Sequence, residues 1–294
     1  MGEREIVRAF AGVDTMDGAG VRLIRLFGNR EVELFDPFLL LDLFGSEDPD
    51  QYLPGFPWHP HRGIETVTYM LEGSVRHGDS MGNSGYIGPG DVQWMTAGSG
   101  IIHEEMPQPS PKGIRGFQLW VNLPRSEKMV DPAYRGFAAA EMPVERIAGG
   151  EVKAIAGSFG RARGPVQGLA RQPTYFDIRL GDEGSVELEA PEGETAFACL
   201  YEGSLESPSM PSGAALGRRP LDQGLRLPLC CLFGPGDRVR LRAGRQGCSL
   251  VFAHGMPLRE DIAWGGPIVM NTEAELALAF KEYSEGTFVK KRAQ

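Results

Sequence analysis

Two short stretches carry the residue types that do chemistry: His59-Pro60-His61 and His103-Glu104-Glu105. On a β-strand alternate side chains share a face, so His59 points with His61, His103 points with Glu105, and Glu104 points away. Pro60 cannot donate to a sheet ladder, which puts the first pair at a strand end or edge. Two such pairs converging from neighbouring strands make a pocket of three imidazoles and one carboxylate. That donor set suits Fe, Mn, Ni, Cu or Zn, with open positions on the ion for substrate and O2. A closed structural zinc site more typically recruits cysteines, and none lies nearby. The chain has only five histidines, so two same-face pairs are hard to read as coincidence.

The elements that must position these side chains read as strands. Val21 to Phe27, Thr66 to Leu71, Gly116 to Leu123 and Cys248 to Ala253 are rich in β-branched and large apolar residues. Each is short and bounded by Gly, Pro or Asp, which favours a β-sandwich or barrel. Convincing helical periodicity occurs once: Thr272 with Glu275 makes a capping box, and Leu276, Phe280 and Tyr283 line one face until Gly286. That helix is expected to pack across a barrel mouth or a domain junction.

A weak internal repeat sets the organisation. Tyr69 to Ser74 followed by Gly88-Pro-Gly-Asp91 resembles Leu200 to Ser204 followed by Gly234-Pro-Gly-Asp237. Both copies read as strand, tight turn, strand, and then a Pro-Gly-Asp turn. The 294 residues therefore read as two tandem antiparallel β-barrels, residues 1–135 and 136–294, joined in the Pro/Ala/Glu-rich stretch from Pro124 to Val144. The first holds four of the five histidines; the second has only His254 and is expected to be metal-free, covering the first barrel.

The bulk properties bound the function. A net charge of -9 argues against binding nucleic acid through phosphate neutralisation, and the one basic run, Lys290-Lys291-Arg292, reads as a solvated tail. The first residues carry two acids and no apolar stretch that would make a signal peptide, and no run approaches a membrane span. Cys199, Cys230, Cys231 and Cys248 form no C-x-x-C pair and read as buried small hydrophobes in a reducing cytoplasm.

The sequence resembles the pirin family of two-barrel cupins. The residues that carry the resemblance are His59-Pro-His-Arg-Gly-Ile-Glu-Thr-Val-Thr-Tyr-Met-Leu-Glu-Gly73, Pro89-Gly-Asp-Val-Gln-Trp-Met-Thr-Ala-Gly98, His103-Glu-Glu105 and Gly116-Phe-Gln-Leu-Trp-Val-Asn-Leu-Pro124. The match is looser in the second half, although Trp264-Gly-Gly-Pro-Ile-Val-Met-Asn-Thr272 is also similar. The resemblance implies an all-β bicupin of two jelly-roll barrels with a short C-terminal helix. It implies the metal ligands His59, His61, His103 and Glu105, and iron as Fe2+. The general cupin pattern H-x-H-x3-E instead offers Glu65, which shares the face of the histidines and could back them.

The resemblance also implies a quercetinase that opens the central ring of a flavonol with O2 and releases carbon monoxide, with Glu105 as general base. The partners are then a small planar aromatic substrate and O2. The alternative is a metal- and redox-dependent coregulator acting through a protein partner, or a cupin oxidising some other small molecule.

Several nearby residues have open roles. Arg62 could orient a carboxylate or bridge to Glu72 on the surface. His77, in the polar segment Arg76-His-Gly-Asp79, reads as exposed, and His254 as a satisfied structural histidine. Of Trp58, Trp94, Met95, Met106 and Phe117, most read as core, with one or two free to line an apolar pocket.

Overall fold

The apolar runs bounded by Gly, Pro and Asp fold as antiparallel strands, each pairing with neighbours that bury it on at least one face. The computed structural model describes residues 2–168, 170–206 and 227–290, with the backbone of 215–216 and 219–220. Lys291 and Arg292 of the basic run lie outside the described residues, while Lys290 pairs with Glu282 at 2.8 Å. Among the described residues there are two α-helices, Val32–Phe35 and Glu273–Ser284. No helix is long and apolar enough to cross a membrane.

The chain forms two compact units that no single cut separates. One comprises Asp14–Val32, Asp36–Ala139 and Leu258–Gln294; the other comprises Met1–Val13, Glu33–Phe35 and Ala140–Pro257. The expected division at residue 135 therefore captures the middle of the chain but not its ends, and pairing explains why. Ile6–Ala11 adds to the edge of the second unit's sheet by pairing with Leu229–Phe233. The segment after Leu258 instead joins the first unit, where Arg62 bridges to Ile268.

In the histidine-bearing unit a seven-stranded sheet runs in the order Ala133–Phe137, Val92–Thr96, Ile64–Glu72, Ile114–Asn122, Phe38–Ser46, Val21–Phe27 and Val13–Asp17. A four-stranded sheet runs in the order Phe56–His61, Ile101–Pro107, Val75–Asp79 and Ser84–Ile87. A hairpin, Ala263–Gly265 with Ile268–Met270, and the helix Glu273–Ser284 complete it.

That helix has the predicted capping box: Thr272 Oγ1 accepts from the Glu275 amide while the Glu275 carboxylate accepts from the Thr272 amide. Its buried residues are Leu276 and Ala279, which pack with Ala263, Ile268, Met270 and Phe288. Phe280 and Tyr283, expected on the buried face, are exposed instead. The helix lies over a narrow two-stranded hairpin, and a strip that narrow covers little more than one row of side chains.

The second unit is built on one sheet in which Thr195–Glu206 and Arg238–Gly255 are long central strands. Its interior is an apolar cluster that includes Val152, Phe176, Ile178, Leu188, Leu250 and Phe252. The repeat is only partly matched in structure. Gly73 makes the tight turn between Ile64–Glu72 and Val75–Asp79, with φ +70°. Gly203, at φ +73°, sits inside a continuous strand, where the pairing register shifts on both sides of it. A left-handed glycine serves a turn in one copy and a bulge in the other.

Candidate metal centre and its cavity

Strand pairing brings the three histidines together. His103 lies directly opposite His59, and Ile101 opposite His61. His59 and His61 share one face by alternation, and the facing strand carries His103 onto the same side. Their ring centroids lie 4.4 to 5.1 Å apart, and their ligand atoms all lie within 4.8 Å of one another. Among the described residues, this trio is the group of three or more His, Cys, Asp or Glu side chains close enough to hold an ion.

The ring nitrogens are oriented from behind. His59 Nδ1 lies 2.8 Å from the Pro57 carbonyl, and His61 Nδ1 lies 3.0 Å from the Pro267 carbonyl. A carbonyl only accepts, so both Nδ1 atoms carry the proton and both Nε2 atoms present lone pairs. Those two Nε2 atoms are 3.1 Å apart, and His103 Nε2 is buried without a hydrogen-bond partner. Facing lone pairs repel, and a cation between them removes the repulsion. Burial holds His61 and His103 well below the ordinary imidazole value, with the neighbouring histidines adding to the effect. Neutral imidazoles with inward lone pairs are the ligand form, so the residues present fit a transition-metal ion.

Glu105 is not a member of that trio, but it lines the same cavity. Its carboxylate is buried and accepts from Thr68 Oγ1 at 2.7 Å and from Gln118 Nε2 at 3.1 Å. Burial pushes its pKa above the ordinary carboxylate value, and the two hydrogen bonds pull against that. The pairing register shifts between His103 and Glu105, which re-aims the carboxylate relative to strict alternation. Glu65 is buried but does not line the cavity: it accepts from Thr96 Oγ1 at 2.7 Å, and His59 and His61 are held by backbone carbonyls instead.

The three residues with open roles fall as follows. His77 is buried, because the turn begins later: the Asp79 carboxylate accepts from the amides of Met81 and Asn83. His77 sits opposite Glu105 in register, stacks on Tyr134 at 4.7 Å and meets its hydroxyl at 2.8 Å. Arg62 does not reach Glu72. It is buried, donates to the Phe288 carbonyl, pairs with Glu282 at 2.8 Å and lies over the Phe288 ring at 4.2 Å. His254 does pair within its own unit, with Glu194 at 2.6 Å.

His59 and His61 open on a cavity of about 630 Å3. Of the five aromatic and methionine candidates none lines it; Trp58 is exposed and Trp94, Met95 and Phe117 are core. Its aromatic walls are Phe44, Phe56, Trp120 and Trp264. Trp120 meets His61 edge-on at 5.1 Å and lies 5.9 Å from Trp264. The signal for these residues is alternation: Gln118 with Trp120, Leu40 with Asp42 and Phe44, and Leu23 with Arg25 are same-face sets on adjacent strands. It was hidden because residues of both parities, such as Leu39, Leu41, Leu43, Phe117 and Leu119, are also buried.

An all-β chain of two cupin domains, one of them holding a histidine cluster at the wall of an aromatic cavity, defines a bicupin with a candidate metal centre. A family model described as Pirin matches residues 20–121, and one described as Pirin C-terminal cupin domain matches residues 175–289. The chain is 44% identical over 294 residues to a pirin-like protein of Caulobacter vibrioides, covering 97% of this chain and 99% of that protein. It is 43% identical over 288 residues to a Pseudomonas aeruginosa protein named "Putative quercetin 2,3-dioxygenase", covering 96% and 97%. A crystal structure of quercetin 2,3-dioxygenase from Acinetobacter baumannii superposes with a TM-score of 0.83 at 30% identity, covering 98% of this chain and 99% of that one. The chain belongs to the pirin family.

Proposed function

We propose that this protein is a metal-dependent dioxygenase of the quercetin 2,3-dioxygenase type, opening the central ring of a flavonol or similar planar phenolic with O2 and releasing carbon monoxide. The observation that carries this reading is one cavity lined by two of the three clustered imidazoles, a buried carboxylate and aromatic walls. Its volume is that of a small-molecule site, and flat aromatic walls suit a flat substrate. The names of the relatives support the substrate class. The chemistry lies inside a cavity and not on a surface, which favours an enzyme over a redox-read binding protein.

In this reading His59, His61, His103 and Glu105 hold the ion, taken to be Fe2+. A bound iron ion supplies Lewis acidity and one-electron reactivity toward O2. The protein does the rest. The carbonyls of Pro57 and Pro267 fix two imidazoles in the ligand tautomer. Phe56, Trp120 and Trp264 exclude water and hold the substrate rings. Glu105 accepts the substrate hydroxyl proton at a carboxylate oxygen, and its burial favours the protonated product of that transfer. Thr68 and Gln118 keep the carboxylate aimed while it is ionised.

The test is anaerobic binding of quercetin followed by exposure to O2, with carbon monoxide and ring-opened product as the readout. Protein loaded in turn with Fe, Mn, Ni and Cu that gives neither product would remove the proposal.

A further inference from the structure

The cavity has a second polar region besides the histidines, and the proposed chemistry leaves it unused. Arg25 lines the cavity between two aspartates that also line it. Arg25 Nε donates to Asp42 Oδ1 at 2.9 Å, and Nη2 donates to Asp42 Oδ2 at 2.8 Å and to Asp17 Oδ2 at 3.1 Å. A guanidinium has five N–H donors, and these bonds use three. The two on Nη1 have no protein partner among the described residues.

This cluster is in line with the catalytic residues. Arg25 pairs with Asp42 across one strand boundary, Asp42 with Gln118 across the next, and Gln118 with Thr68 across a third. Gln118 and Thr68 are the two residues that hold Glu105. One level of the sheet is therefore a row of polar side chains that begins at Glu105's supports and ends at Arg25. At about 4.8 Å per strand, Arg25 lies about 10 Å along the sheet from Gln118, comparable with the length of a three-ring flavonoid.

We propose that Arg25, Asp42 and Asp17 form the specificity subsite for the end of the substrate remote from the metal-binding oxygens, and that the subsite reads phenolic hydroxyls. The assignment rests on the flavonol reading above. A hydroxyl both donates and accepts, so it can accept from Arg25 Nη1 and donate to an aspartate oxygen. An aryl group without hydroxyls covers Nη1 and leaves its two N–H groups unpaired and desolvated. A carboxylate meets two acids against one guanidinium and is rejected by charge.

The experiment compares quercetin with 3-hydroxyflavone, which keeps the 3-hydroxy-4-keto pair and lacks every other hydroxyl. Dissociation constants are read anaerobically on metal-loaded protein, from the quenching of tryptophan fluorescence. Wild type should bind quercetin about tenfold or more tightly than 3-hydroxyflavone. Arg25→Gln combined with Asp42→Asn removes both charges together, so neither is left buried alone. With metal content and circular dichroism unchanged, this variant should lose affinity for quercetin alone, so that the preference disappears. A variant that keeps the preference, or weakens both ligands equally, overturns the proposal.

A ligand-side measurement needs no variant. A 3-hydroxyflavone bearing a carboxylate on the ring remote from the 3-hydroxy-4-keto pair should bind wild type more weakly than 3-hydroxyflavone itself, and tighter binding overturns the assignment. If wild type binds neither quercetin nor 3-hydroxyflavone, the flavonol reading itself falls, and the subsite assignment with it.

Discussion

At the residue scale, the proposed reading gives three imidazoles one task, holding an ion, and gives Glu105 a second one, moving a proton. Replacing His61 or His103 with Ala should abolish tight metal binding, measured by elemental analysis after dialysis, because each removes one of three clustered imidazoles. Glu105→Gln should behave differently. The carboxamide keeps the shape and can still meet Thr68 and Gln118, so more metal should be retained than in the histidine variants. Carbon monoxide release should nevertheless fall by about 100-fold or more, because an amide cannot take the proton. Equal metal loss in all three variants would argue that Glu105 is a ligand with no separate role.

The histidine cluster was legible because alternation alone fixes which side chains share a face, and a chain poor in histidine makes the two pairs conspicuous. The supports were not legible. Gln118 and Thr68 are ordinary polar residues in apolar strands, and their meaning appears only when three strands are laid side by side. The role of Arg62 stayed open because its partners, Glu282 and Phe288, are more than two hundred residues away.

At the element scale, the histidine strand is braced by the segment that follows Leu258. Pro267 holds His61, Val269 donates its amide to the Arg62 carbonyl, and buried Lys128 donates to the carbonyls of both Gly63 and Val269. Gly63 has φ +77°, and a Cβ there would collide with the Val269 carbonyl. Gly63→Ala should therefore lower the thermal midpoint and weaken metal binding together, although residue 63 is not a ligand. Arg62→Met removes the buried guanidinium from Glu282, which keeps Lys290 at 2.8 Å, and should cost about 1–2 kcal/mol in a denaturant melt.

The second unit offers a pH-dependent test of its own packing. Its four cysteines are free and buried, and burial pushes the Cys248 thiol up to about 11. The native thiol keeps its proton over a range where the unfolded chain has lost it. This contribution to stability is thus present below about pH 9 and is lost as pH rises through about 11. Native protein should resist iodoacetamide at pH 8 and react at all four cysteines once denatured, as counted by mass spectrometry.

At the scale of the whole molecule, the chain is interleaved. Two cupin domains are present, as the recurring pattern of strand, glycine and Pro-Gly-Asp leads one to expect. Neither the exchange of the two ends nor the exclusion of the helix from the second unit leaves a periodic signal, since each depends on which distant edge a segment pairs with. A chain ending near Pro124 lacks Ile268, Met270 and Phe288, part of the first unit's own buried cluster, and should expose apolar surface. Fragments 1–139 and 140–294, expressed separately, should both be recovered as aggregates, whereas exchange at the true boundaries is not possible with one cut. Soluble, metal-binding 1–139 would show that residues 258–290 are dispensable to that unit.

The brace on His61 also sets an order of events during synthesis. A ribosome delivers the chain from its N-terminus at about 5–20 residues per second. His59, His61 and His103 emerge well before Pro267, which trails His61 by 206 positions. Most strands of the second unit's sheet are translated in between. The histidines thus wait on a nascent chain without the carbonyl that sets His61's tautomer, so the finished pocket can form only after residue 267 has been made.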